Sequence, residues 1–124
     1  MLELIEDLKD KEIIHIICSN VVDESDLSSS RNLVLKLHSE YGFKKVLVEV
    51  EQLNNRINTF QAFNHGSIVA ENYVLNRLKY AVVSTKHCLN DFGFIVTVAT
   101  NRGVKAKLFE TKDMALRWLD GGQV

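Results

Sequence analysis

Two hydrophobic periods alternate along this chain. Residues 12–19, Glu12-Ile13-Ile14-His15-Ile16-Ile17-Cys18-Ser19, form an unbroken β-branched run, which predicts a strand apolar on both faces and therefore central in a sheet. Leu2, Leu4 and Ile5 predict a short edge strand before it, joined through the polar turn Asp7 to Lys11. A strand at Lys45 to Glu51 follows from the alternation that runs from Val46 to Glu51, and Tyr80-Ala81-Val82-Val83-Ser84 predicts another. Val104, Ala106 and Leu108 alternate with Lys105 and Lys107 in a last short strand.

Helical spacing fills the intervals. A first helix starts near Asp23 or Ser25, turns Leu27, Val34, Leu35 and Leu37 inward, and closes at Tyr41-Gly42. Thr59 is expected to cap a second helix carrying Phe60, Phe63, Ile68, Val69 and Tyr73, in which Gly66 costs about 1 kcal/mol against alanine. Phe92, Ile95, Val96 and Ala99 mark a third helix, stopped at Gly103 with Arg102 at the negative end of its dipole. Thr111 caps a fourth, whose stripe is Met114, Ala115, Leu116, Trp118 and Leu119 and whose end is Gly121-Gly122. The order ββαβαβαβα predicts an α/β domain over residues 1–124, with a mixed, mostly parallel five-stranded sheet and about four helices.

That order, together with Val98-Ala99-Thr100-Asn101-Arg102-Gly103-Val104, the strand end Leu108-Phe109-Glu110 and the helix Asp113-Met114-Ala115-Leu116-Arg117-Trp118-Leu119, resembles the SpoIIAA-like superfamily, the STAS/Sec14-type domains of bacteria. The likeness spans nearly the whole chain, and its motifs are structural. It implies helices around a mixed sheet and a regulatory or binding role more often than an enzymatic one. Anti-sigma-factor antagonists of that superfamily carry a phosphorylatable serine in an Asp-x-Ser-Gly motif after the strand that matches Val46 to Glu51. Here Val50-Glu51-Gln52-Leu53-Asn54-Asn55-Arg56-Ile57-Asn58-Thr59 stands in its place, so the phosphoswitch is not carried over and Thr59 is a displaced candidate.

Composition narrows the function classes. The chain of 124 residues is 46% hydrophobic and 25% charged, an ordinary globular balance for one domain. Its 15 basic and 16 acidic residues give a net charge of -1, which supplies no broad field for nucleic acid. No apolar run approaches the roughly 20 residues of a membrane span, and the acidic start Met1 to Asp7 is unlike a signal peptide, so a cytoplasmic protein is expected. Cys18 and Cys88 fit reduced thiols better than a secreted framework.

In open parallel sheets, ligands gather beyond the carboxyl ends of the strands, which points to Ser19 to Ser25, Gln52 to Asn58 and Thr85 to Asn90. Asp23, Asn54, Asn55, Lys86, His87 and Cys88 lie there. Asn54, Asn55, Arg56 and Asn58 suit a phosphate or peptide, with Thr59 and the free amides of the second helix completing an anion site, although asparagine clusters also simply make turns. His87 beside Cys88 suits a nucleophile–base pair or two metal ligands, but adjacent side chains seldom converge on one atom and no third partner is evident. Cys18 and His15 are read first as a core thiol and a buried, hydrogen-bonded imidazole. No catalytic residue, metal ligand or cofactor is assigned. The expectation is a non-catalytic module that binds a protein partner or small ligand through strand-end loops. The alternative is a Sec14-like small-molecule or lipid-binding protein with Phe60, Phe63, Tyr73 and Phe92 lining an apolar pocket; a Cys/His enzyme ranks last. A homodimer is also expected, because the edge strand needs cover.

Overall fold

The computed structural model describes residues 2–5, 12–18, 21–50, 54–55, 58–84 and 89–121. In chain order the elements are β1 (Leu2–Ile5), β2 (Ile13–Cys18), β3 (Val21–Val22), α1 (Glu24–Tyr41), β4 (Lys45–Val50) and β5 (Asn54–Asn55). They continue with α2 (Thr59–Glu71), a 3-10 turn at Leu75–Arg77, β6 (Lys79–Ser84), α3 (Leu89–Asn101), β7 (Lys105–Phe109) and α4 (Lys112–Leu119). The α/β class and the four helices agree with the pattern of the sequence. The sheet order is β1-β2-β4-β6-β7; β1 runs antiparallel to β2, and the other four strands run parallel.

Taking parallel strands in sequential order, with connections of one hand, places every connecting helix on the same face. Accordingly α1, α2 and α3 cover one side, with Leu27, Val34, Leu37, Ala62, Val69 and Ala99 packed against Ile14, Ile16, Cys18, Val46 and Val50. Among the described helices α4 alone covers the other side, where Ala115 and Leu119 meet Ile13, Leu47, Ala81 and Phe109. Being covered on both faces explains why all six residues of β2 are buried and why its sequence does not alternate.

The helix ends follow local chemistry. Asp23 caps α1 in a reciprocal box with Asp26, each backbone N–H donating to the other residue's carboxylate at 3.0 Å. Thr111 caps α4, its hydroxyl accepting from the Met114 amide. Gly103 adopts φ 95° where the chain leaves α3, a conformation that disfavours any side chain.

Three expectations for the second helix and its approach are corrected. Asn58, not Thr59, caps α2, in a box with Gln61, because its side chain reaches the third helical amide while Thr59 is already the first helical residue. The segment before it is not all loop: Asn54 and Asn55 pair in parallel with Val21 and Val22. Last, the aromatic residues face outward, with Phe60 74% exposed and Tyr73, which lies beyond the end of α2 rather than on it, 71% exposed, and the buried stripe is Ala62, Gly66, Ser67 and Val69. Gly66 sets this choice. A Cβ there would sit 3.0 Å from the Val98 side chain and 3.1 Å from the Ile95 carbonyl, so α2 and α3 meet too closely for rings between them. Gly66 is a contact point, and the loss of helix propensity that the sequence suggests is the lesser part of its role. Outside, guanidiniums cover two of the rings: Arg77 over Tyr73 at 4.1 Å and Arg102 over Phe63 at 5.5 Å.

Candidate functional site

Facing stripes of small and β-branched side chains do not fill the space between the helical layer and the sheet. A cavity of about 90 Å³ remains, walled by Ile16, Val34, Val48, Val69, Val82 and Ile95. At roughly 30 Å³ per water in the liquid, that is about three water volumes, yet its walls are almost wholly apolar. The rings that could have filled it, Phe60, Phe63 and Tyr73, are outside, so the expected aromatic-lined pocket is not formed by them; the side chain of Phe92 lies outside the described residues.

Five polar side chains reach this cavity: Cys18, Ser30, Arg31, His65 and Tyr80. Three of them are committed or inert. Ser30 donates its hydroxyl to the Leu27 carbonyl at 2.7 Å, and Tyr80 donates to the Leu75 carbonyl at 2.8 Å, its phenol held above the ordinary value by burial. Burial likewise pushes the Cys18 thiol up to about 11, so it is protonated at neutral pH and is no nucleophile.

Arg31 and His65 are different. Arg31 leans across from α1, and its Nη1 lies 2.7 Å from Nδ1 of His65 on α2. A guanidinium can only donate, so Nδ1 accepts, and a neutral imidazole must then carry its proton on Nε2. Neutrality has a cause: burial first, then the Arg31 charge, lower the His65 pKa to about 3. Arg31 is itself pulled below its ordinary value by burial, opposed by Glu24, but a guanidinium remains charged at any working pH. Among the described residues no carboxylate stands within ion-pair distance of Arg31.

Sequence reasoning missed this pair, although a signal was present. Arg31 falls in helical phase with Leu27 and Val34, and His65 with Ala62 and Val69, so each is a polar residue set in a buried stripe. The expected site residues lie elsewhere. Asp23 is engaged in its cap; Asn54 and Asn55 form β5; Thr59 is exposed on the first turn of α2. Gln61 donates to Glu24 at 3.3 Å, tying the first turns of α1 and α2 together, so these positions share one end of the sheet. Arg56, Lys86, His87 and Cys88 lie outside the described residues.

A second buried imidazole sits on the opposite face. His15 is 1% exposed, with Nε2 3.3 Å from Glu49 Oε2, while Lys112 Nζ lies 3.7 Å from the other carboxylate oxygen. Among the described residues no three His, Cys, Asp or Glu side chains converge to hold a metal ion, and no helix is long and apolar enough to cross a membrane.

Comparison with family models, with curated proteins and with solved structures finds no match for this chain. Its function is therefore argued from the arrangement of its own residues.

Proposed function

We propose that the chain is a non-catalytic binding module of SpoIIAA-like build that takes a small molecule between its helical layer and its sheet. The observation that carries this is the apolar cavity, smaller than a drug-sized site but sharing its character: concave, apolar, with a few polar groups in its lining. Those polar groups suit binding better than turnover. Acid–base catalysis at neutral pH needs a group that titrates near 7, whereas His65 is held far below that and Cys18 far above it.

Methyl-resolved NMR under dissolved xenon tests whether the cavity accepts a guest. Shifts concentrated at Val34, Val48, Val69 and Ile95 are expected. Shifts confined to surface methyls, or none at saturation, would refute a receptive cavity.

A protein partner at the strand ends is the second reading, favoured by the exposure of Phe60 on the first turn of α2, beside the Asn54–Asn55 strand. A photo-crosslinking residue at position 60 should then capture a discrete species in cells that the same residue at Glu40, on the exposed far turn of α1, does not. Equal capture at both positions would count against it.

A further inference from the structure

We infer that the ligand is a short-chain carboxylate, its branched or straight tail in the apolar cavity and its carboxylate against Arg31 and the Nε2–H of His65. This rests on the cavity being a ligand site and goes on to name the chemistry of the guest.

Apart from the five polar side chains the walls are hydrocarbon, which favours an apolar tail over polar atoms. At about 90 Å³ there is room for a tail of a few carbons, not for a long acyl chain or a ring system. The two uncommitted polar groups of the lining act with one sign. Arg31 has spent one N–H on His65 and keeps the rest of its planar fork, and that same hydrogen bond fixes His65 as a donor through Nε2. Donors with no acceptor beside them recognise an oxyanion, and a guanidinium matches a carboxylate in geometry as well as in charge. Ser30, Tyr80 and Cys18 do not compete, since the first two donate to backbone carbonyls and the third stays a thiol. Glu24, the acidic group nearest in effect to Arg31, is occupied by the Gln61 amide. The hydroxyl oxygens of Ser30 and Tyr80 can still accept but carry no charge, so among the described lining residues an ammonium group meets the Arg31 cation with no anion to offset it, and a phosphate's bulk and second charge exceed what a single half-buried guanidinium answers.

The test is a pair of near-isosteric probes, 3-methylbutanoate and 3-methylbutanamide, titrated into methyl-labelled full-length protein. The acid is expected to bind about tenfold tighter than the amide or better, the difference between a charge-assisted and a neutral pairing. Arg31→Gln should bring that ratio close to one by weakening the acid far more than the amide, and Arg31→Lys should retain part of it. If acid and amide bind the wild type equally well, the carboxylate assignment is overturned and the cavity reading stands. If neither perturbs the Val34 and Val48 methyls, both fall. Should Arg31→Gln not fold, the wild-type ratio and its decline with added salt decide alone, because an ionic preference is screened and a packing preference is not.

Discussion

Each face of the sheet buries a histidine, and the two are built in opposite ways. On the three-helix face His65 meets a cation, Arg31, and borders a cavity. On the α4 face His15 meets an anion, Glu49, itself approached by Lys112. Residue type is the same, but His15 is fully buried and His65 half-buried, and the neighbour's sign differs. The Arg31 cation keeps the His65 imidazole neutral and makes it present a donor, so the face that borders the cavity carries donors able to meet a guest.

Breaking the packed face should produce the largest effect. Leu119→Ala, at a position 1% exposed against Leu47 and Ala81, is expected to cost about 2–5 kcal/mol in urea unfolding. Enlarging side chains separates the faces more sharply. Ala115→Val on the α4 side should cost about 1–3 kcal/mol by overpacking, whereas Val48→Ile, which grows into the cavity, should be neutral or stabilise by up to about 0.8 kcal/mol. Equal losses would mean that the cavity is not open space.

A pH series isolates His65. Its folded pKa, about 3, lies below the ordinary 6.5, so the unfolded chain binds the extra proton between those values. Its contribution is intact above pH 6.5 and is lost as the pH falls toward 3, with a slope of at most about 1.4 kcal/mol per pH unit. The stability of His65→Gln should therefore fall less than that of wild type between pH 7 and 5; parallel curves would show that His65 titrates normally. The smallest difference concerns the cap of α2, the helix that carries His65. Asn58→Ala should cost about 1 kcal/mol, and Thr59→Ala should stay within about 0.5 kcal/mol, by thermal unfolding.

These contrasts follow how legibly each region is written. Where burial depends on one element, the pattern suffices: β2 is apolar on both faces but for His15 because both faces are covered, and Gly103 and Thr111 mark helix ends through their own backbone and hydroxyl chemistry. Where it depends on how closely two elements approach, hydrophobicity misleads. The phenylalanines of α2 outweigh Ala62, Gly66 and Ser67 on any hydropathy count, but only the small side can meet α3. The candidate site is hidden for the same reason. Arg31 and His65 are separated by 34 positions, and nothing local in either helix announces that they will share a hydrogen bond. β5 carries no apolar alternation at all and is specified by its backbone pairing to β3.

That small pairing has a mechanical side. Between Cys18↔Val50 and Val21↔Asn54 the register slips by one residue, so the two strands resume as a separate short rung just before the caps of α1 and α2. The rung, with the Gln61–Glu24 bridge above it, pins both helices at their starts. The other end of α2 is fastened to a different neighbour, Glu71 meeting Arg102 after α3 at 3.1 Å, so the helix is moored to α1 at its start and to the α3 end at its finish.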